Sequence, residues 1–441
     1  MSDVVKKAKA ARAAALQLAR IPLKVRNRAL LRVARAVEWS EGQLLRANAR
    51  DVREGERMVR RGELTAATLQ RLKLTSSKVR AVAEMVRSVA RLPDPLGRTV
   101  YAMEMDKGLE VYKITCPIGV IGTVFEARPD VLPQIAALCL KSGNAVIMKG
   151  GREAVHSNRA FFELIKRETE SAGIPRGWIQ LIEAREEVRE LLKLDQYVDL
   201  LIPRGSKAFI QYVQANTRIP VLGHAEGICH VYVDEHADLS KAVSICYDAK
   251  VQYPAVCNAV ETILVHSKLA DRFLSKLGDL YRQAGVEIRG CPRTRRILPW
   301  AKPAAEEDWR TEYLDLVVSV RVVNSLQEAV DHINRYGSGH TDAIVTESKK
   351  AALEFVEGVD SSSVMVNAST RFSDGYRYGL GAEVGISTTK IHARGPVGLE
   401  GLTTTKYVVV GRGHVVADYV GERAKRFTHR PLRREWREAL G

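Results

Sequence analysis

Long apolar runs are missing from this 441-residue chain. The longest, 131–140, is interrupted by Pro133 and Gln134 and stops at Lys141. That is far short of the ~20 apolar residues that cross a bilayer, so no membrane partner is expected. The opening Met1-Ser2-Asp3-Val4-Val5-Lys6-Lys7 lacks the apolar core and cleavage site of a secretory signal, and a cytoplasmic protein is expected. Cysteine is sparse. Cys116, Cys139, Cys229, Cys246, Cys257 and Cys291 include no Cys-x-x-Cys pair and no histidine at ligand spacing. This argues against a zinc site or a disulfide framework and points to reduced thiols, with no metal. Aromatic residues make up only 6 % and do not interleave with the cations. The formal charge of +16 is spread over the amino-terminal helices and the tail 421–437. Solvated helix faces explain it better than a nucleic-acid surface, so no nucleic-acid partner is expected. A basic surface does suit anionic substrates and cofactors.

What is present is ordinary for a soluble α/β protein: 46 % apolar and 27 % charged residues, in a chain long enough for two or three domains. From residue 4 to about 89 the apolar positions recur at three and four, as in Leu30, Val33, Ala34 and Val37, which predicts amphipathic helices. Pro93, Pro95 and Gly97 break that pattern. Strands are predicted at 109–114 and 118–125, and strand-like and helix-like runs then alternate to residue 265. A second such stretch runs from 269 to 366. This alternation predicts βαβ units and parallel sheets covered by helices. Residues 368–401, rich in glycine and arginine, have no regular period, and a segment of that length inside a compact domain is more often functional than idle.

Cys257 stands in a loop of small residues, Pro254-Ala255-Val256-Cys257-Asn258-Ala259, between a helix-like and a strand-like run. Such a loop leaves a thiolate accessible, which a nucleophile requires. Two glycine-rich segments are not phosphate loops. Gly379 to Gly385 has the wrong spacing and no flanking strand and helix, and after Gly395 to Gly401 no Lys-Ser or Lys-Thr follows. Better placed is Lys149-Gly150-Gly151-Arg152 after the strand 145–148, because ligands bind at the carboxyl edge of an open parallel sheet. Gly205 and Ser206 open the helix after the strand 198–202, where free backbone N–H groups suit a phosphate.

Five segments together resemble the γ-glutamyl phosphate reductase family of the aldehyde dehydrogenase superfamily. They are 117–130 (Pro-Ile-Gly-Val-Ile-Gly-Thr-Val-Phe-Glu-Ala-Arg-Pro-Asp), 223–230 (Gly-His-Ala-Glu-Gly-Ile-Cys-His), 257–262 (Cys-Asn-Ala-Val-Glu-Thr), and the pair 367–375 and 391–401. The resemblance runs from the amino-terminal helices to about residue 418. It implies an aldehyde dehydrogenase-like fold. A Rossmann-like NADP-binding domain would span 1–107 and 117–250, and an α/β catalytic domain 251–395. A β oligomerisation arm would take 108–116 and 396–420, followed by a basic tail, 421–441. It also implies NADPH-dependent reduction of γ-glutamyl phosphate to glutamate-5-semialdehyde, the second step of proline biosynthesis, in a homo-oligomer that has transient contact with a glutamate kinase.

By the same resemblance Cys257 falls on the nucleophile, Lys149 and Ser206 on cofactor positions, and Glu312 on the glutamate that holds the nicotinamide ribose. Where hydrolytic relatives carry a water-activating glutamate this chain has His224, and in place of their oxyanion asparagine it has Arg128, a cation for the leaving phosphate. Arg152 occupies the position at which NAD-using relatives carry a glutamate, and so suits a 2′-phosphate. The doubly anionic substrate needs fixed cations, for which Arg371 and Arg377 with Asn367, Ser369 and Thr370 are candidates, and His340 besides. The alternatives are a hydrolytic NAD(P)-dependent aldehyde dehydrogenase, which needs a carboxylate near Cys257, and a nucleic-acid-binding protein, suggested by charge alone.

Overall fold

The computed structural model describes residues 2–126, 128–223 and 226–440, and for Ala67, Arg185 and Lys207 the backbone alone. The amino-terminal helices Asp3–Leu18, Leu23–Trp39, Glu41–Arg60, Ala66–Leu72 and Ser76–Arg91 form where the three-and-four pattern lies. Leu30, Val33, Ala34 and Val37 make the buried stripe of the second. Thr65 and Thr75 cap the last two by accepting from the backbone N–H groups of Thr68 and Lys78.

These helices pack on a parallel sheet ordered Ile179–Ile182, Ala145–Lys149, Val120–Phe125, Leu200–Arg204. A larger parallel sheet runs Lys302–Pro303, Glu287–Gly290, Val317–Val323, Val260–His266, Cys229–Val233, Thr341–Val345, Ser363–Val366. Its central strand Val260–His266 is buried at every position, as a parallel strand covered on both faces must be. The third unit is an antiparallel arm, ordered Thr403–Val410, Leu109–Pro117, Thr99–Asp106, Arg430–Pro431.

The sheets do not follow two of the expected boundaries. Thr99–Asp106 lies in the arm rather than with 1–107, because the two-residue turn Lys107-Gly108, with Gly108 at φ 75°, folds it back onto Leu109–Pro117. Cys229–Val233 lies inside the larger sheet rather than with 117–250, because the chain crosses between sheets before that strand and not after the helix Leu239–Val251. The tail also returns to the arm: Trp436 Nε1 donates to Gly97 O at 3.0 Å and Leu432 N to Ala102 O at 3.0 Å. Among the described residues no helix is long and apolar enough to cross a membrane, and no cluster of His, Cys, Asp and Glu is arranged to hold a metal.

Candidate active site

In the smaller sheet Val124 pairs with Lys149 and Phe125 with Arg204, so the carboxyl ends of three parallel strands stand side by side. Two of those ends, at Phe125 and Arg204, open into a cleft of about 720 Å³, whose lining does not include Lys149 or Arg152. Arg128, Arg204, Gly205 and Ser206 line it from this side, and Cys257, Glu312, Arg371 and Arg377 face them from the larger sheet and its loops.

The loop carrying half-buried Cys257 is tied down along its length. Gln252 Oε1 accepts from Arg371 Nε at 3.1 Å and Asn258 Nδ2 donates to Ser373 O at 2.8 Å. Arg71 Nη2 donates to Ala255 O at 3.1 Å, and the thiol of buried Cys229 donates to Cys257 O at 3.2 Å. Gly227 lies so close beneath that a Cβ there would sit 2.0 Å from Cys257 O, so only glycine fits.

Glu312 is fixed by the same construction. Its Oε1 accepts from Gly227 N at 3.0 Å. Two residues on, Leu314 takes a left-handed φ of 54°, which aims its N–H at Glu261 Oε1, 3.3 Å away. Glu261 pairs with Lys250 at 2.7 Å, both side chains fully buried, and Lys250 Nζ also donates to Asp315 O at 3.2 Å. Burial pushes the Glu261 carboxyl up to about 7 against the pull of Lys250, and burial lowers the lysine. Lys250 precedes the Cys257 loop and Glu261 follows it. One buried pair therefore closes that loop at its base and holds the 312–315 turn.

The cleft is rich in cations. Burial lowers the pKa of half-buried Arg204, with Glu383 opposing and Arg128 adding, and burial with Arg377 lowers that of Arg371, which is 8 % exposed. A thiolate at Cys257 favours the charged form of both, which places both guanidiniums within electrostatic reach of the sulfur. Arg377 donates to Arg371 O and so braces it.

Of the residues expected to hold a cofactor, Gly205, Ser206 and Glu312 line the cleft, and Lys149 and Arg152 stand outside its lining. Ser206 caps the helix Lys207–Ala215, accepting from Phe209 N at 3.4 Å, and lines the cleft with Gly205, so that this helix starts at the cleft's edge. Gly150 and Gly151 follow Lys149 where a Cβ would collide with Asn158 and Glu153 at 2.0 and 1.8 Å, so the backbone there stays bare. Lys149 and Glu153 both lie within electrostatic reach of Glu126. Arg152 is exposed at the start of the next short helix and pairs with Glu63 at 3.1 Å.

Other predicted residues sit elsewhere. The Asn367 side chain clamps Thr346, accepting from its N at 2.9 Å and donating to its O at 2.8 Å, with Asn367 itself at φ 54°. Ser369 caps the turn Thr370–Phe372, and Thr370 is fully buried with Oγ1 lacking a hydrogen-bond partner. His340 is buried beside Cys229, its Nδ1 3.7 Å from that sulfur and 2.9 Å from Thr341 Oγ1. His224 lies outside the described residues. Sequence reasoning missed Arg204, Arg71 and the Lys250–Glu261 pair. Only Arg204 carried a local signal, a cation ending a buried strand.

A family model described as the aldehyde dehydrogenase family matches residues 1–289. A γ-glutamyl phosphate reductase of Pelotomaculum thermopropionicum is 53 % identical over 434 residues, covering 98 % of this chain and 99 % of its own. One of Natronomonas pharaonis is 57 % identical over 431 residues, covering 98 % of each. The chain belongs to the γ-glutamyl phosphate reductase family, within the aldehyde dehydrogenases. The crystal structure of a γ-glutamyl phosphate reductase from Thermotoga maritima matches the fold with a TM-score of 0.90 at 41 % identity, covering 94 % of this chain and 100 % of that one. As a member of the family, the chain is an oxidoreductase that works with a nicotinamide cofactor.

Proposed function

We propose that this chain reduces γ-glutamyl phosphate to glutamate-5-semialdehyde with NADPH, through a thioester on Cys257, as a step of proline biosynthesis. The observation that carries this is Cys257 on an anchored loop in the lining of the cleft, with Arg128 and Arg204 facing it and Arg371 on its own side. Cys257 Sγ bonds to the acyl carbon as the carbon–oxygen bond to phosphate breaks, and the electron pair leaves with phosphate. Arg128 and Arg204 take up the charge that develops on the acyl and departing oxygens. Arg371, braced by Arg377, holds the substrate's α-carboxylate. Lys149, Arg152, Gly205, Ser206 and Glu312 are the residues that would hold the cofactor, which when bound supplies the hydride that takes the thioester to the aldehyde level. The release of aldehyde returns Cys257 to the thiol. The arm, whose edge strand Thr403–Val410 exposes Tyr407 (65 %) and Val409 (57 %), suits a homo-oligomer. A cytoplasmic setting and transient handover from a glutamate kinase fit the short life of an acyl phosphate.

Hydrolytic dehydrogenation is the second reading, because the carboxylate of Glu226 lines the cleft although position 224 is histidine. Phosphate dependence decides between them. With glutamate-5-semialdehyde and NADP⁺, steady NADPH formation is expected only when inorganic phosphate is present, and Arg128→Ala is expected to raise the KM for phosphate more than that for NADP⁺. Steady turnover in phosphate-free buffer with glutamate accumulating supports the hydrolytic reading instead.

A further inference from the structure

The catalytic cleft has a side chamber. A second cavity of about 370 Å³ is lined by Gln70, Arg71, Lys78, Arg128, Asp130, Tyr253 and Ala255, four of which (Arg71, Arg128, Tyr253, Ala255) also line the cleft around Cys257. The two spaces therefore adjoin beside the loop that carries the nucleophile. Its outer wall comes from the amino-terminal helices, through Ala66–Leu72 and the start of Ser76–Arg91. That wall is built rather than draped: buried Asn48 donates to Leu72 O at 2.9 Å and accepts from Leu74 N at 2.8 Å, which fixes the turn between the two helices.

Charge gives the chamber its purpose. Arg71, Lys78 and Arg128 bring three positive charges against the single carboxylate of Asp130, and among the described residues none of the three cations makes a salt bridge. Arg71 and Lys78 spend one donor each on a carbonyl, Ala255 O at 3.1 Å and Lys73 O at 2.6 Å. Guanidinium and ammonium each keep further donors for a ligand. A net charge of about +2 matches phosphate, which carries about −1.5 to −2 near neutral pH, better than a single carboxylate. We propose that this chamber is a phosphate-binding vestibule, through which inorganic phosphate leaves the catalytic cleft and, in the reverse direction, reaches it. The proposal deepens the acyl-phosphate reading of the same site and rests on it.

The test uses the full chain and two alkylating reagents of nearly equal size. Iodoacetate is an anion and iodoacetamide is neutral, and their rates at Cys257 are read by peptide mass mapping. Lys78→Gln and Arg71→Gln are each expected to lower the iodoacetate-to-iodoacetamide rate ratio by about three- to tenfold, as loss of local positive potential requires. The neutral reagent controls for the Ala255 contact of Arg71, since a displaced loop changes both rates. Inorganic phosphate is expected to slow iodoacetate in the unsubstituted chain and to do so less in either variant. An unchanged ratio in both variants overturns the vestibule. If the ratio falls but semialdehyde oxidation ignores phosphate, the vestibule stands and the reductase reading fails. If turnover requires phosphate while the ratio is unchanged, the reductase reading stands and the vestibule fails.

Discussion

The two walls of the cleft are held in opposite ways. The nucleophile wall is fixed from inside: the Cys257 loop has four hydrogen-bond anchors, and the Lys250–Glu261 pair behind it has no exposed side-chain surface. The cofactor side relies on a helix start that lines the cleft and, beyond that lining, on two bare glycines and Arg152, whose side chain is 70 % exposed and paired with Glu63. A group that makes and breaks a covalent bond tolerates little displacement. A group that recognises a ligand entering from solvent must be reachable. The difference predicts that substitutions on the first wall cost rate or fold, and that substitutions on the second change preference.

The largest effect belongs to the nucleophile. Cys257→Ala is expected to lower kcat/KM by at least ~10⁴-fold, about 5.4 kcal/mol of transition-state stabilisation, with thermal unfolding unchanged. Retention of more than about one hundredth of the activity contradicts a covalent mechanism. Next comes the buried pair. Lys250→Met or Glu261→Leu alone is expected to cost about 3–5 kcal/mol in urea unfolding, because each strands a buried charge. The double substitution is expected to recover much of that stability while activity stays low, since the 312–315 turn loses its anchor. Additive losses would mean that the two side chains act separately.

On the cofactor side, Arg152→Glu is expected to raise the KM for NADPH about tenfold, about 1.4 kcal/mol, with little change for NADH. Equal KM values for the two cofactors in the unsubstituted chain remove the basis of that assignment. A pH-dependent effect concerns the framework behind the nucleophile wall. His332 is 4 % exposed, and burial, with His230, Arg321 and Arg335 adding, pushes its pKa down to about 2. The folded state keeps it neutral while the unfolded chain protonates it at its ordinary value of 6.5. Its contribution is complete above that value and falls by about 1.4 kcal/mol per pH unit below it. Urea midpoints measured between about pH 7.5 and about pH 5 are expected to fall less steeply in His332→Phe; identical slopes contradict the assignment.

The sequence made parts of this plain and hid others for physical reasons. Parallel strands such as Ala145–Lys149 and Val260–His266 are continuous apolar runs, and Cys257 sits in the small-residue loop that opens the latter, so both could be read locally. Thr99–Asp106 escaped because it is mostly half-buried in a thin arm, where the alternation is weak. The Lys250–Glu261 pair escaped because two charges 11 residues apart look solvated until the fold buries them. Arg71 acts on Ala255 across 184 residues of chain, and no pattern in sequence marks such a contact. Asn367 and His340 were drawn into the site by their residue types, yet the hydrogen bonds described for them lie within the protein, to Thr346 and to Cys229 and Thr341. Polar side chains of an interior serve the fold as often as the chemistry.

The central claim is a thioester on Cys257 that phosphate resolves and water does not. Intact-mass spectrometry of the chain mixed with glutamate-5-semialdehyde and NADP⁺ in phosphate-free buffer tests it directly. The account predicts one glutamyl group per chain, located on the Cys257 peptide, that persists in buffer and is lost within one turnover when inorganic phosphate is added. The absence of an adduct, or an adduct that water clears as fast as phosphate does, contradicts it.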